Sequence, residues 1–269
     1  MVAKSINPID YQNVPRAVGA MSKEFPDGCR LTPHTHERAQ LVYAVAGVME
    51  IVANGVTWII PPQRALWIPG GIEHSMLARG SISLRTLYVR SDAPHFPEPG
   101  EPRSIRVSPL LRELILRAVD MPIEYDENGR DGAIVDLLLQ EIEFMPDEAL
   151  RIAVPHDRRL RRLCDFIRAH PDDNRGLAEL APLTGASGRT LTRLARAELG
   201  VPLLYWRHQV RLLEALPRLA WGEPITSVAL SLGYETPSAF TAMFSRTMGK
   251  TPSQYLAEIG EPMPAPVRT

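Results

Sequence analysis

The sequence predicts an α+β protein. A small β-barrel or sandwich of short strands is expected in the N-terminal half, followed by an all-α half that carries two helix-turn-helix units. Three observations carry this reading. Residues 38–90 are dense in β-formers and are cut by tight-turn pairs. From about residue 105 the apolar positions change to the three-and-four spacing of helices. A pattern of short helix, glycine turn and longer helix, first met at 177–199, recurs about four dozen residues further on.

At 269 residues the chain is long enough for two domains, each with its own core. With 45% hydrophobic and 23% charged residues it has the composition of a soluble globular protein. No apolar run approaches the length of a membrane span, and MVAKSINPID has no apolar signal core. Cys29 and Cys164 are the only cysteines, which excludes a disulfide framework and points to a reducing, cytoplasmic setting. The net charge of −1 hides an asymmetry: residues 156–269 carry 15 Lys and Arg against 11 Asp and Glu, whereas residues 1–155 carry 15 against 20. A basic module behind an acidic one fits a nucleic-acid partner for the C-terminal part.

Taken in order, residues 1–104 are read as the barrel domain. Asn54-Gly55, between MEIVA and VTWII, is a strong two-residue hairpin signal, because both positions tolerate positive φ. Gly47, Pro61-Pro62 and Pro69-Gly70-Gly71 are read as further breaks, and SISLRTLYVR adds an alternating strand. The Pro-rich stretch 92–104 closes this domain. Residues 105–155 form a helical connector. One helix has Leu110, Leu111, Leu114 and Ile115 on its apolar face behind a Ser108-Pro109 cap, and the other has Ile134, Leu137, Leu138 and Ile142 behind an Asp131 cap. These helices either complete the first core or pair two chains as a homodimer. Residues 156–258 form the helical domain, and 259–269 a disordered tail.

In the helical domain a first helix, Leu177–Leu183, leads through Thr184-Gly185-Ala186 to a second, Gly188–Leu199, capped by Ser187. Leu191, Leu194 and Ala195 share the buried face. Arg189, Thr192, Arg193 and Arg196 line the opposite one, with Thr190 beside them. Arginine suits both guanine edges and phosphates. The second unit runs from Thr226–Ser231 through Gly233 to Pro237–Met248, with Phe240, Met243, Phe244 and Met248 buried. Between the units a helix opened by Pro202 spans roughly 25 Å, suited to holding two reading helices in successive major-groove turns about 34 Å apart. Pro217 is expected to kink or end it.

Two such units at this spacing resemble the DNA-binding domain of the AraC/XylS family. The resemblance is carried by Gly200-Val201-Pro202, Val228-Ala229, Leu232-Gly233-Tyr234, Ser238-Ala239-Phe240, Phe244-Ser245-Arg246 and Gly249-Lys250-Thr251-Pro252-Ser253-Gln254-Tyr255. It implies double-stranded DNA as partner. Arg189, Thr190, Thr192, Arg193 and Arg196 would then lie on the first reading helix, and Ser238, Thr241 and Ala242 on the second, with Arg246 toward phosphate. Ala242 departs from the long polar residue many members carry, which shifts the second unit toward phosphate contacts and methyl packing.

The N-terminal half resembles the cupin motifs HxH(x)3E(x)6G and PxGxxH. Here they read His34-Thr35-His36, then Gln40 and Gly47, and later Pro69-x-Gly71-x-x-His74. The resemblance implies a small-molecule effector inside the barrel, with room for a divalent metal (Zn, Ni or Fe) on His34, His36, Gln40 and His74. Gln40 replaces the usual carboxylate and is a poorer ligand. If His34 and His36 share a strand, the two-residue period points both the same way. Trp58 and Trp67 either line the pocket or belong to the core. His95, His156, His170 and His208 stand alone and read as structural or exposed. No catalytic constellation is evident, so the chain is read as a ligand-responsive transcription regulator and not an enzyme. The alternative is a cupin-type metal-dependent enzyme with a helical appendage.

Overall fold

The computed structural model describes residues 4–93, 100–145 and 151–259. His95, part of the Pro-rich stretch and the tail beyond Ile259 lie outside the described residues. The chain forms two compact units, one of residues 1–54 and 60–148, the other of residues 55–59 and 149–269.

The first unit is an antiparallel sheet backed by two helices. Its strands are β1 (Val18–Phe25), β2 (Arg30–His34), β3 (Ala39–Ala53), β5 (Arg64–Ile68), β6 (His74–Val89) and β7 (Arg103–Arg106). The spine is the pair β3–β6, in register from Ala39↔Val89 to Ala53↔His74. On the other edge of β6, β1 pairs with one half (Val18↔Val89 to Phe25↔Ile82) and β2 with the other (Arg30↔Leu77, His34↔His74). Beyond β3 the sheet continues through β5 to β7.

Among the described residues this path keeps free ends, so the expected closed barrel is instead an open, sheet-rich domain. The strands also run longer than the short ones expected. β3 and β6 run 15 and 16 residues, and Gly47, read from sequence as a break, sits at a register irregularity inside a continuous strand. There two steps along β3 match four along β6, and the surplus on β6 bends the ladder without ending it. The Asn54-Gly55 turn does form as predicted, with φ of +50° and +71°.

Helices α1 (Pro109–Asp120) and α2 (Arg130–Gln140) complete this unit's own core. Leu111, Leu114 and Ile115 of α1 and Val135, Leu138 and Leu139 of α2 are buried with Leu41, Tyr43, Trp67 and Leu87 of the sheet. Each such aliphatic side chain contributes about 1.5–3 kcal/mol. Of the two roles open at the sequence level, intrachain packing is thus met. Ser108 caps α1 as expected, accepting from the Leu111 N–H. For α2 the cap is Gly129, not Asp131; Asp131 lies in the first turn and pairs with Arg117 at 2.8 Å. The buried face also turns from the expected one: Leu137 is 41% exposed, and Gly132 and Leu139 face inward.

The second unit opens with the antiparallel pair β4 (Val56–Ile60) and β8 (Arg151–Ala153). Seven helices follow among the described residues: α3 (Arg158–Ala169), α4 (Leu177–Leu180), α5 (Gly188–Glu198), α6 (Leu203–Ala220), α7 (Ile225–Ser231), α8 (Pro237–Met248) and α9 (Pro252–Ile259). The first half packs α3, α4 and α5 together, with a 3₁₀ turn at Ala181–Thr184 completing α4. Glu198 at the end of α5 accepts the backbone N–H groups of His156 and Asp157, joining the two ends of this bundle. The second half packs α7, α8 and α9 around Phe240, Phe244 and Tyr255.

The connecting α6 runs 18 residues and continues beyond Pro217 to Ala220, so the helix does not end there. Pro217 lies so near the C-terminus that one backbone bond is lost, while Leu213, Leu216 and Leu219 around it stay buried. On α8, Thr247 takes the buried place expected of Met248, which is half-buried.

Candidate functional site

In the first unit, three imidazoles converge. His34 ends β2 and stands directly opposite His74, the first residue of β6. His36 comes from the link between β2 and β3, not from the strand as alternation would have it. That link is held by the Pro69-Gly70-Gly71 turn: the Gly71 N–H donates to the His36 carbonyl at 2.8 Å. A Cβ at Gly70 would lie 2.3 Å from the Glu37 carbonyl oxygen, so only glycine lets the two loops approach this closely. Ring centroids are 4.4 Å apart for His34 and His74, 4.9 Å for His34 and His36, and 5.3 Å for His36 and His74. One ring nitrogen from each lies within 4.8 Å of the others.

The surroundings orient two of these rings and disfavour the proton on His36 and His74. Nδ1 of His34 lies 2.8 Å from the Thr32 carbonyl, and Nδ1 of His74 3.0 Å from that of Ile72. Protonated at Nδ1, each presents Nε2 as a free lone pair. Burial, reinforced by His74 and His34, pushes His36 down to about 4. His74 is also shifted down by burial, against the opposing bond to Ile72 and with His34 adding to the fall. Nε2 of His36 is buried without a hydrogen-bond partner among the described residues. Three converging imidazoles, one with an orphaned nitrogen, fit a borderline divalent metal, and they equally fit the N–H or O–H donors of an organic ligand.

Gln40 does not complete a four-ligand set by any observed contact. Its Nε2 donates to Thr86 Oγ1 at 3.0 Å and to the Tyr88 hydroxyl at 3.4 Å, leaving Oε1 buried and unpaired among the described residues. Tyr88 joins the two groups, since its ring lies 5.1 Å from His36 and stacks on Tyr11 at 5.9 Å. Burial raises the pKa of Tyr88 and of Tyr11, so both remain phenols. Sequence reading passed over both tyrosines. Register offered a signal for Tyr88, which stands opposite Gln40 in the β3–β6 ladder, but none for Tyr11. Trp67 belongs to the first unit's core, and Trp58 is buried in the second unit beneath Arg151.

The residues expected from sequence to face DNA lie on two helices of the second unit, α5 and α8. Ser187 caps α5, accepting from the Thr190 N–H, which places Arg189, Thr192, Arg193 and Arg196 on the exposed side. Leu191, Leu194 and Ala195 are buried on the other side. Among the described residues the three arginines make no ion pair. Thr190 is half-buried with its hydroxyl 3.0 Å from Ser187 Oγ, and Thr192 donates back to the Gly188 carbonyl at 2.9 Å. On α8, capped by Thr236, Ser238, Ala242 and Arg246 are exposed and Thr241 half-buried. An open cavity of about 650 Å³ lies beside α5, lined by Leu177, Ala181, Pro182, Gly185, Ser187 and Gly188, and is thus on the helical unit rather than within the sheet. The remaining histidines are local: His170 stacks on Phe166, and His156 gives its N–H to Glu198. Burial and the charges of Arg211, Arg246 and Arg207 push the half-buried His208 below its ordinary pKa.

Residues 180–258 match a family described as a helix-turn-helix domain, and residues 25–142 one described as an AraC-like ligand binding domain. Over 226 residues the chain is 30% identical to the HTH-type transcriptional regulator NimR of Escherichia coli, covering 84% of this chain and 82% of that one. The chain belongs to the AraC family of transcriptional regulators. As such an AraC-family member it joins a helix-turn-helix DNA-binding domain to an N-terminal ligand-binding domain. The Arabinose operon regulatory protein of Escherichia coli is 29% identical over 202 residues, 74% of this chain and 63% of that protein. A solved structure of ToxT from Vibrio cholerae is 11% identical, covering 91% of this chain and all of that one, with a TM-score of 0.39. Among the described residues no helix of this AraC-family chain is long and apolar enough to cross a membrane.

Proposed function

We propose that this regulator reads specific duplex DNA sites with α5 and α8, and that a small molecule or divalent metal at the histidine cluster is the signal that alters this reading. The observation that carries the proposal is the Arg189–Arg193–Arg196 ridge, exposed and without ion pairs among the described residues. Three guanidiniums held on one helical face with no carboxylate to neutralise them are suited to phosphates and guanine edges. Thr190 supports the helix end, Thr192 and Arg246 reach backbone, and Ser238, Thr241 and Ala242 present the smaller surface of α8. A ligand that favours one arrangement of the regulator over another would shift operator affinity by its differential affinity for the two.

Sequencing genomic fragments retained by the purified protein, followed by mobility shift at several salt concentrations, tests the DNA arm. One fragment class should be preferred over bulk competitor, with affinity falling as salt rises. Equal retention of all fragments would defeat the proposal of specific reading.

For the signal, His34, His36 and His74 would hold Zn, Ni or Fe, with Gln40 outside the set or bound weakly through Oε1. The metal would supply a fixed positive centre to which an effector anion or the domain itself responds. Elemental analysis of wild type against His34→Ala and His74→Ala distinguishes the cases. Metal lost in both variants supports a metal signal, and metal absent from wild type leaves an organic effector donating to His36 and Gln40. We further propose a cytoplasmic protein without enzymatic activity; its regulator relatives and two free cysteines support this reading. A homodimer through α1 and α2 would cover Leu110 and Leu137, and sedimentation velocity tests it.

A further inference from the structure

The two helix-turn-helix units are joined by more than α6. After α3 ends, the chain at 171–174 crosses to the second unit's turn. There Asn174 Nδ2 donates to the Gly233 carbonyl at 2.5 Å. Gly233 has φ of +80°, and a Cβ on it would stand 2.1 Å from the Asp172 carbonyl oxygen, so the two segments touch at backbone distance. Arg211, from the middle of α6 and only 5% exposed, ties both sides together. Its guanidinium donates to the Pro171 carbonyl (2.7 Å), to Asn174 Oδ1 (2.7 Å) and to the Asp173 carbonyl (3.4 Å), and lies 4.8 Å from the Tyr234 ring centroid. One turn earlier, Arg207 donates to the Arg175 carbonyl at 3.0 Å.

We infer that Asn174 and Arg211 are positioning residues that lock the two helix-turn-helix units into one rigid body, and so set the spacing of α5 and α8. The physical reason is the cost of rearrangement. α6 packs on both bundles and meets them at the positive-φ turns Gly200 and Gly222, where any freedom of rotation between them would lie. The cross-link removes that freedom, because any rotation of one bundle would strip acceptors from a buried guanidinium. The residues involved lie off both reading surfaces, so their effect on recognition is through geometry alone. Its consequence for DNA rests on the proposed reading by α5 and α8, whereas the lock itself does not.

Spin labels at Ala197→Cys on α5 and Ala239→Cys on α8, in the full chain with Cys29→Ala and Cys164→Ala, report the distance between the two helices. Both label sites are exposed and neither belongs to the proposed reading set. With Asn174 and Arg211 intact, a single narrow distance population is expected. Asn174→Ala and Arg211→Lys should each broaden or split it, while circular dichroism stays native. The same narrow population in both folded variants would overturn the inference, whatever the DNA experiments show. Should Arg211→Lys fail to fold, Asn174→Ala alone decides the matter, since its side chain is at the surface.

Discussion

Gly185 and Gly233 occupy equivalent turns, one in each helix-turn-helix unit, and the structure predicts unequal tolerance to the same substitution. Both are left-handed, with φ of +70° and +80°. An L-residue in that conformation costs about 1–2 kcal/mol. At Gly185 nothing lies within 4 Å of a built Cβ, so Gly185→Ala should cost that amount and no more. At Gly233 the added methyl would sit 2.1 Å from the Asp172 carbonyl oxygen and 2.8 Å from its carbon. The 171–174 segment would have to retreat, and the Asn174 and Arg211 bonds with it. Overpacking of this kind adds about 1–3 kcal/mol, so Gly233→Ala should cost about 2–5 kcal/mol in all. With two units in the chain a single melting curve is ambiguous, so hydrogen exchange read by mass spectrometry, peptide by peptide, is the proper assay. Amides of α6 should lose more protection in Gly233→Ala than in Gly185→Ala. Equal losses would show that only backbone conformation matters at these turns, and the close-approach reasoning would fail.

Further expectations concern caps, charge and pH. Ser187→Ala and Thr236→Ala each remove a side-chain acceptor from a helix start and should destabilise α5 and α8 by about 1 kcal/mol, visible as faster exchange in the first turn of each. Arg189→Ala, Arg193→Ala and Arg196→Ala break no ion pair, so thermal stability should hold while DNA affinity falls. Where the lost contact is to phosphate, the salt slope should flatten by about 0.9 per contact, and an unchanged slope with relaxed sequence preference would assign that arginine to a base edge. His208 has a folded pKa below its ordinary value of 6.5, mainly through burial, with Arg211, Arg246 and Arg207 adding to the shift. The unfolded chain therefore binds this proton more readily, so stability is full above 6.5 and declines as pH falls from there toward the folded value. Urea titrations on the acid side should show a shallower decline in His208→Gln than in wild type, and parallel curves would exclude His208 as a source.

The helical half was legible in detail because its signals are local. Ser187, Gly185 and the spacing of Leu191, Leu194 and Ala195 each act within a few residues, and the chain adopts nearly the predicted boundaries. What sequence could not give was anything decided across the chain. Pro217 reads as a kink or an end, yet the helix continues past it with Leu213, Leu216 and Leu219 buried. Gly47 reads as a break, yet 15 residues of β3 pair along β6 and absorb it as an irregularity. The motif spacing singled out His34, His36 and His74, and the three do converge, but by another route, since cross-strand pairing and a loop, not one strand, bring them together. Tyr11 reached the site through a stack with Tyr88 that no spacing encodes.

The short strand β8 bears on how this protein can be taken apart. Trp206, 1% exposed on α6, gives its indole N–H to the Ala153 carbonyl, and β8 in turn pairs with β4, Val56↔Ala153 to Trp58↔Arg151. A graft that transplants only residues after 155 onto another sensor would remove both the acceptor of that indole N–H and the strand that covers it. Chimaeras should therefore carry Arg151–Ala153 along, and even then they would lack a partner strand encoded nearly a hundred residues upstream.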